Sequence, residues 1–224
     1  TVNGKEYVFM GDAGKREKIP QTTFYYDALT TSYAFKNDEV SLGLRFLSPL
    51  LPDNLEIMTR PVSYLMLACT TADGSPAEIK ISASEELCLN LRGEGTVAGE
   101  TVAFRGGKAV KMGNTEQKPL WRSGDNVRID WGYFYLAARG DADTSFIDGS
   151  DGMKYAVLKK TVKSGENALI MFAYDDTESI EYFGKRLRSV WNSKGKTIEE
   201  ALTNAVEDWL KLHSFAAAFS IRLK

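Results

Sequence analysis

The chain has 224 residues, of which 43% are hydrophobic and 11% aromatic, and its formal net charge is −2 at pH 7. These values are typical of a folded globular protein with one large domain or two small ones. The slight negative charge excludes the basic surface expected of a nucleic-acid-binding protein, and no run approaches 18 apolar residues, so no membrane-spanning helix is expected.

Residues 1–22 predict the end of a preceding segment followed by a loop. Asn3-Gly4 is typical of a turn, residues 7–10 predict a short strand, and residues 12–22 are charged and punctuated by Gly and Pro. The chain begins at Thr1 and not at Met. We therefore expect a processed product or a piece of a longer protein.

Residues 23–175 predict a run of roughly ten or more strands with turns every 8–12 residues. Residues 40–46 alternate between apolar and polar side chains, which is typical of a strand with one buried face. Residues 62–70 and 168–174 are apolar on both faces and are predicted to be central strands. An exposed loop is expected over residues 139–152. The predicted fold class is all-β, a large antiparallel β-sandwich of the super-sandwich kind with a C-terminal amphipathic helix.

Residues 128–137 predict a strand with two unlike faces, because side chains alternate across a strand. One face carries the side chains expected in a packed core: Gly132, Phe134, Leu136 and Ala138. The other face carries mostly aromatic side chains: Trp131, Tyr133, Tyr135 and Ala137. Three large rings with polar tips on one face predict that something covers them.

Residues 176–224 predict a helical tail. Asp175 to Thr177 are expected to cap a helical turn over residues 178–187. Thr197 and Glu200 have capping-box spacing, and the apolar residues after them recur at helical spacing, which predicts an amphipathic helix of about four turns. The sequence stays apolar beyond that helix. We therefore expect the tail to lead into a further helical domain.

Few residues suit catalysis or metal binding. His213 is the one histidine, and no nucleophile lies near it in sequence. Cys69 and Cys88 are expected to be two small buried thiols, although a disulfide between them stays open. No His or Cys spacing predicts a zinc site. The sequence therefore predicts no catalytic residue, no metal and no cofactor.

Two groups of acidic residues invite a functional interpretation. Asp175-Asp176 follows a predicted central strand and suits a general acid/base or a cation site, but capping preference favours an N-cap with a solvated neighbour. The second group shares one Gly-containing loop and comprises Asp141, Asp143, Asp148 and Asp151. Its spacing lacks the twelfth-position Glu of an EF-hand, which favours a solvated loop.

The aromatic face of residues 128–137 has two interpretations. It suits stacking on a sugar ring or another planar ligand, or it is covered by a neighbouring sheet or domain. The second is favoured, because one strand supplies only one side of a ligand site. The candidate ligand-facing or domain-interface residues are Asp130, Trp131, Tyr133 and Tyr135.

Several segments resemble, in order and spacing, the glutaminase A-like family of secreted microbial glutamine amidohydrolases. The segments are 46–49 (FLSP), 51–55 (LPDNL), 60–64 (RPVSY), 128–133 (RIDWGY), 172–176 (FAYDD) and 180–184 (IEYFG). Trp191 and the helix with Ala205 and Trp209 resemble the entry to the helical domain of that family. The resemblance covers essentially the whole chain.

The resemblance implies an accessory role. In such proteins a β-sandwich precedes a helical (α/α) toroid domain that is thought to hold the active site. Residues 23–175 are then a non-catalytic sandwich that packs on the helical domain and shapes its cleft, and residues 176–224 lead into that domain. The implied partners are the helical domain and the small-molecule substrate of the parent protein. The implied location is secreted or periplasmic, although the chain carries no signal peptide.

Two alternatives remain open. The chain can be a carbohydrate-binding or glycoside-hydrolase-associated sandwich module with Trp131, Tyr133 and Tyr135 as its stacking platform. It can also be a plain oligomerisation or scaffold domain. Burial of the aromatic face separates these interpretations, since large exposed apolar patches are uncommon on a finished monomer.

Overall fold

Antiparallel strands form most of the structure, which a computed structural model describes for residues 1–223. The strands are β1 (Tyr7–Val8), β2 (Glu17–Lys18), β3 (Gln21–Tyr26), β4 (Thr30–Lys36), β5 (Val40–Leu47), β6 (Val62–Thr71), β7 (Ala77–Ser84), β8 (Val97–Phe104), β9 (Gly107–Asn114), β10 (Tyr133–Arg139), β11 (Asp143–Asp148), β12 (Lys154–Val162), β13 (Asn167–Asp175), β14 (Ile180–Tyr182) and β15 (Lys185–Leu187). The helices are α1 (Leu55–Thr59) and α2 (Ile198–Arg222).

Two antiparallel sheets make the sandwich. The large sheet has eight strands in the order β3-β4-β5-β6-β13-β10-β9-β8, and the small sheet has the order β11-β12-β7. Strands β6 and β13 lie inside the large sheet, as their two apolar faces predict. The predicted all-β sandwich with a C-terminal amphipathic helix is confirmed.

The core between the sheets is built from the inward side chains of both. Leu67, Leu136 and Ile170 of the large sheet pack with Leu158 of the small sheet. Cys69 and Cys88 lie in the same core as free thiols, which confirms two buried thiols and excludes a disulfide. Burial raises the pKa of the Cys88 thiol to about 12, so that thiol stays protonated near neutral pH.

A second core forms on the outer face of the large sheet, under helix α2. The buried stripe of the helix includes Leu202, Trp209 and Leu212, and it packs on Tyr64 and Met171. The predicted capping box is confirmed. The helix is longer than predicted, because Ala216 and Phe219 extend the apolar stripe and pack on the same core. No helix in the described part of the chain is long and apolar enough to span a membrane.

Two predicted elements are wrong. Residues 178–187 form the hairpin β14–β15 and not a helical turn, because Thr177 has a positive φ of 57° and the residues beyond it alternate as in a strand. Residues 139–152 contain the edge strand β11, whose Phe146 packs against the sandwich core, and are not simply an exposed loop. The charged residues and glycines of that segment obscured a strand with only two apolar side chains, Phe146 and Ile147.

The strand predicted over residues 128–137 begins later, at Tyr133. Gly132 has a φ of 78°, which is incompatible with extended backbone, and residues 127–131 before it form no strand. Helix α1 was not predicted. Asn54 caps it by accepting a 3.1 Å hydrogen bond from the backbone N–H of Ile57.

Candidate functional site

The predicted site residues lie inside the fold and divide into two pairs. Asp130 and Trp131 are buried in the irregular segment that leads into β10. Tyr133 and Tyr135 are on the outer face of β10, where Tyr133 is half-buried and Tyr135 is only 3% exposed. The structure therefore does not gather the four side chains on one open surface.

The chain itself covers Tyr135. Its ring lies in the outer core with Leu202 and Ala205 of helix α2. Burial raises the pKa of the Tyr135 hydroxyl, and the nearby Asp175 carboxyl adds to that shift. Lys111 Nζ lies 4.1 Å from the centre of the Tyr133 ring in a cation–π contact. Within residues 1–223, Tyr133 and Tyr135 therefore do not form an open stacking platform for a sugar.

Asp130 ties a long loop to the sheet. Its Oδ1 accepts a 3.1 Å hydrogen bond from Trp121 Nε1, and its Oδ2 lies 3.4 Å from Arg122 Nε in an ion pair without hydrogen-bond geometry. Arg122 also stacks over the Trp121 ring at 4.2 Å and donates a 3.1 Å hydrogen bond to Glu94. A buried carboxylate is stable here because it has a cation and a donor beside it.

Gly132 is held from two sides. Its N–H donates a 2.6 Å hydrogen bond to Gln117 Oε1, while Gln117 Nε2 donates to the carbonyl of Asn114 at 2.6 Å. The hydroxyl of Tyr174 donates a 2.8 Å bond to the carbonyl of Trp131. A Cβ on Gly132 would lie 2.3 Å from the Asp175 carbonyl oxygen. Glycine is therefore required at this crossing of two chain segments.

Trp131 braces the base of the hairpin β14–β15. Its Nε1 donates a 3.4 Å hydrogen bond to the carbonyl of Glu178. Above this contact, Ser179 N–H donates to the Leu187 carbonyl at 2.9 Å, and the Ser179 and Ser189 hydroxyls are 2.8 Å apart. Hydrogen bonds thus close the base of the hairpin and connect it to the sandwich.

The hairpin has one mostly apolar face and one charged face. Ile180 pairs with Leu187 and Tyr182 with Lys185, so these four residues share a face, and its three apolar side chains are exposed. Arg186, on the other face, pairs with Glu181 at 3.8 Å and with Glu178 at 3.4 Å. These salt bridges show that the charged face is the one suited to contact with solvent. The apolar side has no cover within residues 1–223.

Phe183 forms the hairpin tip together with Gly184. Their φ values are 48° and 74°, which match the two positive φ angles of a type I′ turn. Phe183 is 89% exposed and contacts the Tyr182 ring edge-on at 4.5 Å between centroids. A bulky residue at positive φ is strained, and Asn-Gly is the common choice in such turns.

Asp175 caps a turn and not a helix. Its Oδ1 accepts a 3.0 Å hydrogen bond from the N–H of Thr177. Burial raises the pKa of the Asp175 carboxyl, and Asp176 beside it adds to the shift. In the loop of acidic residues, Asp151 accepts from Tyr155 and from the N–H of Met153, which is a structural role. Over the described residues, no group of three or more His, Cys, Asp or Glu side chains suits a metal ion.

Two grooves flank helix α2. One of about 410 Å³ lies at the start of the helix and is lined by Arg105, Lys196, Glu199, Glu200, Thr203 and Asn204. The other, of about 390 Å³, lies near its end between α2 and the segment at α1, and Leu51, Pro52, Ile57, Phe215 and Phe219 give it apolar walls. The first mixes charges of both signs, so it favours neither an anion nor a cation.

His213 is a structural hydrogen-bond acceptor. Its Nε2 lies 2.8 Å from the guanidinium nitrogen Nη1 of Arg45, which can only donate, so the imidazole is neutral with its hydrogen on Nδ1. The ring also packs on Trp209 at 5.5 Å. Desolvation, and then the charge of Arg45, lower the pKa of His213 below its ordinary value.

A pH titration checks this arrangement. We expect the imidazole NMR signals to give a pKa below the ordinary value of about 6.5. Because the unfolded state takes up the proton first, the free energy of unfolding should fall as pH decreases through about 6.5. Arg45→Met should move the pKa of His213 back towards that value. An unshifted pKa in the wild-type protein would contradict the neutral acceptor role.

The hairpin was missed as a functional candidate. Its sequence held two signals: the alternation of Ile180, Glu181 and Tyr182, and the dipeptide Phe183-Gly184 at the turn. The contact of Trp131 with Glu178 had no signal in the sequence, because it joins segments 47 positions apart. The contact of Asp130 with Trp121 had none because it forms within an irregular segment that has no periodic pattern.

The chain is similar to two known proteins, one by sequence and one by structure. Over 158 residues it is 26% identical to Glutaminase A of Aspergillus oryzae, a match that covers 67% of this chain and 22% of that protein. A solved structure described as a candidate kojibiose phosphorylase from the human microbiome shares 8% identity, with 86% of this chain and 22% of that chain covered and a TM-score of 0.34. The chain therefore spans about a fifth of the length of either protein.

A family model described as a domain of unknown function, DUF5127, matches residues 29–165. The matched range runs from the start of β4 to just beyond β12 and includes the irregular segment at Asp130 and Trp131. Because the match covers more than half of the sequence, the chain belongs to the DUF5127 family, and it is a distant relative of glutaminase A over part of its length.

Proposed function

We propose that this chain is a non-catalytic accessory β-sandwich of a larger, secreted or periplasmic amidohydrolase of the glutaminase A kind. Residues 23–175 form the sandwich domain, and residues 176–224 lead into a helical domain on which the sandwich packs. The sandwich shapes one wall of the cleft that takes the small-molecule substrate. The match to 22% of the length of Glutaminase A supports a part within a larger enzyme.

The observation that carries this proposal is the exposed apolar face of the hairpin β14–β15. A two-stranded hairpin is marginally stable alone, yet this one is braced by Trp131 and closed by salt bridges on one face only. Exposed apolar patches of this kind mark interaction sites. The hairpin is therefore the contact with the helical domain, and Asp130 and Trp131 are positioning residues behind that contact.

The strained tip adds to this argument. Phe183 at φ 48° costs about 1–2 kcal/mol in backbone conformation relative to a residue that tolerates this region. Within residues 1–223 the edge-on contact with Tyr182 offsets part of that cost, while the Phe183 ring stays 89% exposed. Burial of a Phe side chain in a partner pocket contributes about 1.5–3 kcal/mol. Contact with a partner gives a reason to keep Phe at this turn.

Glutamine hydrolysis by the chain and by its parent protein tests the proposal. We expect turnover by the parent and none by residues 1–224 alone. Phe183→Asn in the parent should weaken the attachment of the sandwich and lower kcat/KM, because the cleft loses a fixed wall. Turnover by the chain alone would contradict the accessory role. An unchanged kcat/KM in the parent variant would contradict the hairpin contact.

The turn also allows a stability test on the chain alone. Phe183→Asn should be more stable than Phe183→Ala by about 1 kcal/mol, because both lose the ring and only Asn tolerates the left-handed region. Urea unfolding of the two variants measures the difference. Equal stabilities would mean that the turn is not strained in solution.

A further inference from the structure

Strand β3 is an edge strand that lacks the usual protection. It lies at one end of the eight-stranded sheet, and all six of its residues are exposed. Its sequence, Gln-Thr-Thr-Phe-Tyr-Tyr, contains no charge and no proline. Natural proteins usually place Lys, Pro or a covering segment at such an edge, since open backbone groups there pair with other strands. Only a bulge between Gln21 and Thr23 interrupts it.

The turn between β3 and β4 shows which backbone groups of β3 are hydrogen-bonded to β4 and which point away from it. Asp27 N–H donates a 2.9 Å bond to the Thr30 carbonyl, so that pair is hydrogen-bonded. Hydrogen-bonded and non-hydrogen-bonded pairs alternate along an antiparallel ladder, so Tyr25 and Thr23 bond to β4. The backbone N–H and C=O groups of Phe24 and Tyr26 therefore point away from β4. In residues 1–223 no further strand lies on that side.

An aromatic ladder continues the sandwich core out to this edge. The ring centroids of Phe24 and Tyr33 are 5.2 Å apart, and those of Tyr33 and Phe46 are 6.2 Å apart. Phe46 and Tyr33 pack against the core between the sheets. At the edge, Phe24 and Tyr26 are 53% and 68% exposed, with their rings 5.7 Å apart. The core thus ends in uncovered aromatic rings beside open backbone groups.

We propose that β3 is the interface of a homodimer, in which two copies of the strand pair antiparallel about a two-fold axis at Tyr25. The regular pairing beyond the bulge runs from Thr23 to the hydrogen-bonded pair of Asp27 with Thr30, and this range is centred on Tyr25. In this register Phe24 lies opposite Tyr26 of the second copy. The outward backbone groups of both residues then meet and form two hydrogen-bonded pairs related by the axis.

The composition of the strand favours a second copy as the occupant. In an isologous interface residue i contacts residue j of the second copy and j contacts i, so charges of one sign on the strand would face each other, whereas β3 carries no charge. The same register sets Phe24 and Tyr26 as cross-strand aromatic pairs on one face, a favourable combination in sheets. This interface is independent of the hairpin contact with a helical domain.

Sedimentation equilibrium of the chain tests the dimer. We expect a concentration-dependent dimer in the micromolar range. Tyr25→Lys places two lysines directly opposite each other and should weaken dimerisation at least about tenfold. Ala98→Lys, on exposed β8 at the other edge of the same sheet, should leave it unchanged. A monomeric wild-type chain, or a dimer that Tyr25→Lys leaves intact, would overturn the proposal.

A cross-link tests the register without relying on a charge. Non-hydrogen-bonded partners have Cα atoms about 4.5 Å apart, which suits a disulfide. Tyr25→Cys should therefore give a disulfide-linked dimer on mild oxidation, and Thr23→Cys should not, while Cys69 and Cys88 are buried. Equal cross-linking of both variants would overturn the register. A monomer that instead binds oligosaccharides through Phe24 and Tyr26 would overturn the dimer.

Discussion

Replacing Trp209 by alanine is expected to destabilise the chain by about 3–5 kcal/mol, the usual cost of removing a buried Trp. Trp209 is 6% exposed and its ring lies 5.2 Å from that of Tyr64, which is fully buried. The helix that carries it packs on the outer face of the large sheet. Urea unfolding followed by far-UV circular dichroism measures the change.

Leu210→Ala is the matched control. It lies next to Trp209 on the same helix but is 75% exposed, so its replacement should change the free energy of unfolding by less than about 0.5 kcal/mol. A small loss in Trp209→Ala as well would mean that α2 does not pack on the sheet in solution. The aromatic face of β10 would then be open and the sugar-stacking interpretation of Tyr133 and Tyr135 would return.

The position of α2 marks the limit of what the sequence predicts. Helical periodicity and the pair Thr197 and Glu200 predict the helix start and its buried face, since both are local patterns. The sequence also predicts that something covers Tyr135. It does not predict that the covering element is the chain's own helix, because that contact joins residues more than 60 positions apart.

The hairpin shows how a correct local rule gives a wrong element. Asp175 does cap the backbone at Thr177, as capping preference predicts. The following residues nevertheless form strands, because the positive φ of Thr177 redirects the chain and Phe183-Gly184 closes a tight turn. Capping residues stabilise turns as well as helices, and only the alternation beyond them separates the two.

The sequence singles out the candidate residues and does not predict their contacts. Asp130 and Trp131 stand out in sequence as polar and aromatic residues beside a core strand. Two of their partners, Trp121 and Gln117 at the neighbouring Gly132, come from a loop, and the third, Glu178, comes from the segment predicted as a helical turn. Loop positions depend on tertiary contacts and carry little periodic signal. The role of these residues at a domain interface stays a prediction.

Replacing Gly132 by alanine is expected to destabilise the chain by about 2–4 kcal/mol. Two effects combine at this residue. Its φ of 78° is unfavourable for an L-residue by about 1–2 kcal/mol, and its new Cβ would meet the Asp175 carbonyl oxygen at 2.3 Å. Backbone lies on both sides, so neither segment can yield without breaking the bonds of Gln117 or Tyr174.

Gly74→Ala separates the two effects. Gly74 has a φ of 77°, but a Cβ there would meet no atom within 4 Å, so only the conformational cost of about 1–2 kcal/mol applies. The excess loss in Gly132→Ala measures the clash. Because Trp131 braces the hairpin base, the clash should also speed hydrogen exchange at Ser179 N–H, while Gly74→Ala leaves that rate unchanged. Equal losses of unfolding free energy in the two variants would mean that the two chain segments at Gly132 move apart to admit the Cβ. They would also mean that the sandwich does not hold the hairpin in place.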